Sequence, residues 1–169
     1  MIPVDLLGVR VVPPSNAPFV VLRELREPGR SMMIFIGEPE AMSINMALQG
    51  ETTPRPMTHD LLLSVIEELG AEIVRVVVTH LDDTTFFAEL HLDLDDEVLE
   101  ISARPSDCFA LAARTAAPIY VAEAVLDDVG VCAEEQPSGE VPDTPPEEVV
   151  EEFHKFIESV SPEDFGPAS

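Results

Sequence analysis

Residues 71–103 read AEIVRVVVTHLDDTTFFAELHLDLDDEVLEISA. Three runs rich in β-branched and aromatic residues, Ile73 to Thr79, Thr85 to Leu94 and Glu97 to Ala103, are broken by Asp82-Asp83 and Asp95-Asp96. Such runs suit a pleated, half-buried surface. Paired acids between them suit turns, where a short carboxylate hydrogen-bonds locally. The stretch therefore predicts an antiparallel meander. In its middle run Leu90, Leu92 and Leu94 alternate with His91, Asp93 and Asp95, so the apolar and polar sets take opposite faces. The polar set is expected to be the solvated outer face of a half-buried strand, with a metal-binding His-x-Asp-x-Asp as the sharper alternative. His80, near Asp82 and Asp83, falls at a predicted turn.

Outward from the meander, residues 2 to 12 and 18 to 25 read as two strands joined at Pro13-Pro14-Ser15-Asn16, and Met32 to Ile36 as a third. Glu38-Pro39-Glu40 suits a helix first turn, with Ala41, Ile44 and Leu48 at helical spacing before Gly50. Thr58 is expected to cap a second helix, with Leu62, Val65, Ile66 and Leu69 on its buried stripe and Gly70 as its stop. On the far side Ser106 is expected to cap a third helix from Asp107 to about Thr115. A short strand, Pro118 to Val121, and a helix from Ala122 to Val129 follow. The order β-β-β-α-α-β-β-β-α-β-α lacks regular βαβ alternation. It predicts a single compact α+β domain with a mixed, largely antiparallel sheet and about four helices. No Gly-x-Gly-x-x-Gly or Walker loop points to a doubly wound nucleotide fold.

The domain is expected over residues 1–132, followed by a flexible acidic linker over 133–146 rich in Pro and Glu, and an acidic tail over 147–169. In that tail Val149, Phe153, Phe156 and Val160 form an apolar stripe opposite glutamates, predicting a short amphipathic helix that docks on the domain or on a protein partner. Cys108 and Cys132 lie outside any Cys-x-x-Cys pattern and read as two reduced thiols. The N-terminus is not a basic leader and no apolar run approaches a membrane span, so the chain is expected to stay in the cytoplasm. The net charge is −24, divided between residues 1–132 (8 basic, 22 acidic, −14) and the remainder (1 basic, 11 acidic, −10). A field of that sign disfavours nucleic acid, whose affinity comes largely from cations displacing counterions.

Two segments share a layout, Arg55-Pro56-Met57-Thr58-His59-Asp60 and Arg104-Pro105-Ser106-Asp107. Each sets a guanidinium and a proline ahead of a helix start, where unpaired backbone N–H groups favour an anion. Together they predict a cationic island. On it Arg55, Thr58 and Ser106 would bind substrate, and His59, Asp60, Arg104 and Asp107 would carry chemistry. Asp60, Asp107 and Glu40 are the candidate ligands of a divalent metal, Mg or Mn. The plainer alternative is that Arg55 and Arg104 pair with Asp107 or Asp60 and lock the helix starts together. No Ser/His/Asp set can be assembled from spacing alone.

At these residues the chain resembles the bifunctional nuclease family of bacteria. The matching blocks are Phe35-Ile-Gly-Glu-Pro-Glu-Ala41, Pro54-Arg-Pro-Met-Thr-His-Asp-Leu61, Leu69-Gly-Ala71, Phe86-Phe-Ala88, Ala103-Arg-Pro-Ser-Asp107 and Ala117-Pro-Ile-Tyr-Val121, in order over residues 2 to 131. Ser102, His80 and Cys108 depart from the family's pattern. The resemblance implies an α+β domain that often self-associates, here as a homo-oligomer such as a dimer, in a family named for DNase and RNase activity. It leads to two expectations: a metal-assisted nuclease, or a non-catalytic module binding an anion or a protein through the same arginines.

Overall fold

A computed structural model describes residues 1–132 of the protein. The expected linker over 133–146 and the amphipathic helix beyond it lie outside the described residues. The elements run β1 (Ile2–Val12), β2 (Ala17–Glu24), β3 (Arg30–Phe35), α1 (Glu38–Gln49), α2 (Thr58–Glu68), β4 (Glu72–Asp82), β5 (Thr85–Leu94), β6 (Glu97–Ala103), α3 (Pro105–Thr115), β7 (Ile119–Val121), α4 (Glu123–Val129) and β8 (Val131–Cys132). This is the α+β order expected, with the two-residue β8 added.

The strands form one mixed sheet in the order β6-β5-β4-β7-β1-β2-β3-β8. The residue 71–103 meander is present as β4-β5-β6, and Asp83, Asp95 and Asp96 take φ values of 54°, 55° and 65° at its turns. A second meander, β1-β2-β3, is antiparallel throughout. Short β7 joins the two halves, antiparallel to β1 and parallel to β4 through Val76↔Ile119. It is the parallel pair that makes the sheet mixed, and it follows from the α3 crossover between β6 and β7.

Alternation places Val20, Leu22, Met32, Ile34, Leu90 and Leu92 in the core, where they meet Ile44 of α1 and Phe109 and Leu111 of α3. Phe109, Leu22 and Ile44 are the largest fully buried side chains. Gly50 (φ 66°) ends α1 and Gly70 (φ 81°) follows α2, left-handed positions where a Cβ would be strained. Both cysteines are free, Cys108 buried and Cys132 partly so. No helix among the described residues is long and apolar enough to cross a membrane.

Three local expectations are corrected. Of the predicted stripe on α2 only Ile66 is buried, whereas Leu62, Val65 and Leu69 are 40%, 46% and 72% exposed. The helix leans on α3 at the margin of the domain, and His59 takes the buried turn that the leucines were expected to fill. His91 is not solvated but 2% exposed, with Arg75 from β4 donating to its Nδ1 at 3.4 Å, and Asp95 stands in the turn instead of lining up with it. His80 lies inside β4, stacked on Phe87 at 4.4 Å, because the strand runs on to Asp82.

Candidate functional site

The starts of α1, α2 and α3 meet, and one chain of polar contacts joins them. Asp107, in the first turn of α3, accepts a two-pronged bond from Arg104: Nε to Oδ2 at 2.9 Å and Nη2 to Oδ1 at 3.0 Å. The same Nη2 lies 2.9 Å from Glu40 Oε1 of α1. Asp107 Oδ1 also lies 3.1 Å from His59 Nε2 of α2. The other ring nitrogen, His59 Nδ1, is 2.9 Å from Ser43 Oγ of α1. Arg114 at the far end of α3 completes the chain. Its Nη2 donates to Ser43 Oγ at 3.1 Å, its Nη1 to the Ser43 carbonyl at 3.3 Å, and its Nε to Asp60 Oδ1 at 2.6 Å.

These contacts fix proton positions. Arginine only donates and a carboxylate only accepts, so Ser43 Oγ accepts from Arg114 while His59 Nε2 carries the hydrogen shared with Asp107. In neutral His59 the remaining nitrogen, Nδ1, is then an acceptor and takes the Ser43 hydroxyl proton. The result is an oriented Ser43–His59–Asp107 relay that sequence spacing did not reveal. Ser43 is 4% and His59 9% exposed, so the relay is dry on one side. A 180 Å³ pocket opens beside it, lined by Glu40, Ser43, Thr58, His59, Arg104 and Asp107.

Electrostatics follow the contacts. Burial pushes the Asp107 carboxyl up, but hydrogen bonds from Arg104 and His59 outweigh burial and hold it below the ordinary carboxylate range. The Arg114 hydrogen bond, helped by the Met57 backbone N–H, likewise lowers Asp60. Asp107 and Glu40 together raise the already high pKa of Arg104, which is permanently charged. Burial pushes the Cys108 thiol up to about 12, so it is no nucleophile.

The sequence-predicted residues divide. Glu40, His59, Arg104 and Asp107 come together, whereas Asp60 belongs to Arg114. Arg55 is exposed and its side chain has no ion-pair or hydrogen-bond partner among the described residues. Neither expected cap is one: Met57 and Arg104 occupy the N-cap positions, with Thr58 first and Ser106 second in their helices. Pro105 takes the first position of α3 because its fixed φ suits it, which moves the cap back to Arg104. At α2 the cap lies one residue beyond Pro56, so the two layouts are out of phase and Arg55 is set farther from its helix than Arg104. Thr58 is exposed at the rim of the His59 pocket, whereas Ser106 lines a different cavity on the other side of Arg104. Ser43 and Arg114 were missed.

Comparison with known proteins bears on this arrangement. A bifunctional nuclease domain model matches residues 20–134. The chain belongs to the bifunctional nuclease domain family. The match takes in every residue of the relay and of its arginine clamps. Two Mycobacterium tuberculosis proteins, "Uncharacterized protein MT1877" (strain CDC 1551 / Oshkosh) and "Uncharacterized protein Rv1829" (strain ATCC 25618 / H37Rv), are each 41% identical to the chain over 162 residues. Each alignment spans 96% of this chain and 96% of the relative, so it reaches into the acidic tail beyond the bifunctional nuclease domain itself.

Proposed function

We propose that the protein is a nuclease that hydrolyses phosphodiester bonds of DNA or RNA at the His59 pocket. The observation that carries this is the oriented Ser43–His59–Asp107 relay ending on an exposed arginine, in a domain whose family is named for nucleases. Arg104, whose side chain is 66% exposed, holds the phosphate and offsets charge that builds on it, with Arg55 as a second, outer cation. A water in the pocket gives a proton to Ser43 Oγ as Ser43 gives its own to His59 Nδ1; the hydroxide attacks phosphorus, the P–O bond to the leaving nucleotide breaks, and the proton held by His59 returns through Ser43 to the departing oxygen. Asp107 keeps the imidazole in the accepting tautomer and stabilises the imidazolium that forms.

The expected metal set does not fit these positions. Arg104 holds both Glu40 and Asp107, Arg114 holds Asp60, and no three His, Cys, Asp or Glu side chains among the described residues gather to hold a metal ion. Mg²⁺ or Mn²⁺, in this proposal, would enter with the phosphate.

A second reading has its own support. A guanidinium answers each carboxylate of the network, and residues 1–132 carry −14, both of which suit a non-catalytic module that binds an anion or a protein at Arg104. The separating experiment is cleavage of labelled single- and double-stranded DNA and RNA with Mg²⁺, Mn²⁺ or EDTA, beside folded His59→Ala, Ser43→Ala and Arg104→Ala variants. Cleavage lost in all three supports the nuclease. Cleavage that persists in them, or none under any condition, leaves the binding module.

A further inference from the structure

Arg104 lines three spaces: the His59 pocket, an apolar cavity of about 430 Å³ bounded by Leu62, Leu90 and Leu111, and a cavity of about 420 Å³ between the end of β3, the β4–β5 turn and the start of α3. Its lining includes Phe35 and Phe86, the hydroxyls of Thr84, Thr85 and Ser106, and the Arg104 side chain. Phe35 is 64% exposed, an unusual position for a phenylalanine in a chain with 5% aromatic residues. Arg104 uses Nε and Nη2 on Asp107 and Glu40, and its Nη1 makes no hydrogen bond among the described residues.

We propose that this last cavity holds one nucleobase, so that the site takes a nucleotide of one or a few units, or the end of a strand, and not the interior of a long strand or duplex. The proposal rests on the phosphodiesterase reading for the chemistry but not for the binding. The volume lies in the ~300–1,000 Å³ range of small-molecule sites. Aromatic rings offer a base the stacking that holds it without a duplex, and the hydroxyls offer donors and acceptors to its edge. A base lying there sits beside Arg104, whose Nη1 is left to meet its phosphate.

Charge sets the length of the ligand. Residues 1–132 hold eight arginines, no lysine and 22 acids. Among those arginines, Arg23, Arg30, Arg104 and Arg114 are ion-paired and Arg75 lies on His91. A polymer gains affinity by running its phosphates along a row of cations, and only Arg10, Arg26 and Arg55 are left without such a partner among the described residues. Against 22 acids, each phosphate beyond the first few adds more repulsion than attraction.

The test is binding, measured by calorimetry on the full chain with each nucleoside monophosphate, the matching nucleosides, inorganic phosphate and a single-stranded oligonucleotide. The variants are Phe35→Ala, which removes an exposed ring and should leave the fold intact, and Arg104→Gln. At least one monophosphate is expected to bind in the micromolar to millimolar range, more tightly than its nucleoside or phosphate and no more weakly than the oligonucleotide. Phe35→Ala should weaken it roughly tenfold or more, as loss of base stacking does, and Arg104→Gln should abolish it. No monophosphate binding, affinity indifferent to Phe35→Ala, or an oligonucleotide that binds far more tightly would each overturn the proposal. Cleavage without base-dependent binding would sink the cavity and spare the nuclease, whereas binding without cleavage would do the reverse.

Discussion

Replacing Arg114 with methionine tests whether the polar chain holds the three helices together. The side chain is 11% exposed and donates from α3 to Asp60, to the Ser43 hydroxyl and carbonyl, and to the Ala110 carbonyl. Methionine fills similar space with no donor, so the charged bond to Asp60 and both bonds to Ser43 are lost. Hydrogen bonds to charged groups contribute ~1.5–3 kcal/mol each, and leaving a buried acceptor unpaired costs about 1–3 kcal/mol. Asp60 is 37% exposed and recovers part of its hydration, which puts its share at the low end. The bonds to buried Ser43 keep theirs. The net loss is about 2–4 kcal/mol, or roughly 5–15 °C in Tm for a chain of this size.

The assay is urea denaturation followed by circular dichroism on Arg114→Met, Asp60→Asn and the double variant, with Arg114→Lys to separate charge from the fork. Lysine restores a point charge but not the simultaneous reach to Asp60 and Ser43, so it should recover less than half of the loss. Because the pair is in contact, the double variant should be less unstable than the sum of its parts by roughly 1–2 kcal/mol. A loss for Arg114→Met under about 0.5 kcal/mol, the size of an ordinary surface change, would show that the network does not bind the helices together.

Three further outcomes are expected. Folding lowers the Asp60 and Asp107 carboxyls, so their contribution is present above the unfolded aspartate value and is lost as pH falls through the lower folded values; the urea midpoint should fall increasingly below about pH 4, and less steeply in Asp60→Asn. At mildly alkaline pH an aromatic disulfide reagent should label partly exposed Cys132 in the native protein and reach Cys108, pushed up to about 12, only after unfolding; prompt labelling of both would refute the burial. The self-association implied by the family would bury Leu62, Val65 and Leu69 of α2 against a second copy, so light scattering should give a dimer mass that Leu62→Glu with Leu69→Glu reduces to a monomer; an unchanged mass would free that face.

Much of the fold was legible because its signals are local. The acid pairs at residues 82–83 and 95–96, glycines 50 and 70, and the prolines in the first turns of α1 and α3 punctuate the chain where the elements begin and end. What was not legible is long-range. Three residues of β7 carry too little pattern to show that they pair with β4 on one side and β1 on the other, and β8 is shorter still. The same divide runs through the site. His59, Arg104 and Asp107 announce themselves as chemical residues at helix starts. Ser43 reads as an ordinary hydroxyl inside α1, and Arg114 as a basic residue placed to suit the C-terminal end of α3. A local signal did exist: Asp107 and Arg114 are seven apart and so share one face of α3, as Glu40 and Ser43, three apart, share one of α1.

Arg104 carries the argument about function because its two jobs do not exclude each other. Asp107 and Glu40 take Nε and Nη2, which fixes the plane of the guanidinium and leaves Nη1 without a partner among the described residues. A lysine, with one charge centre and no plane, cannot hold both carboxylates and still offer a donor in a set direction. In a domain with 22 acidic and 8 basic residues, bulk charge cannot attract an anion, so recognition falls to such preset donors. The surrounding carboxylates then act as a filter. They hold the donor in place for a ligand that can enter with one phosphate and repel one that must bring many.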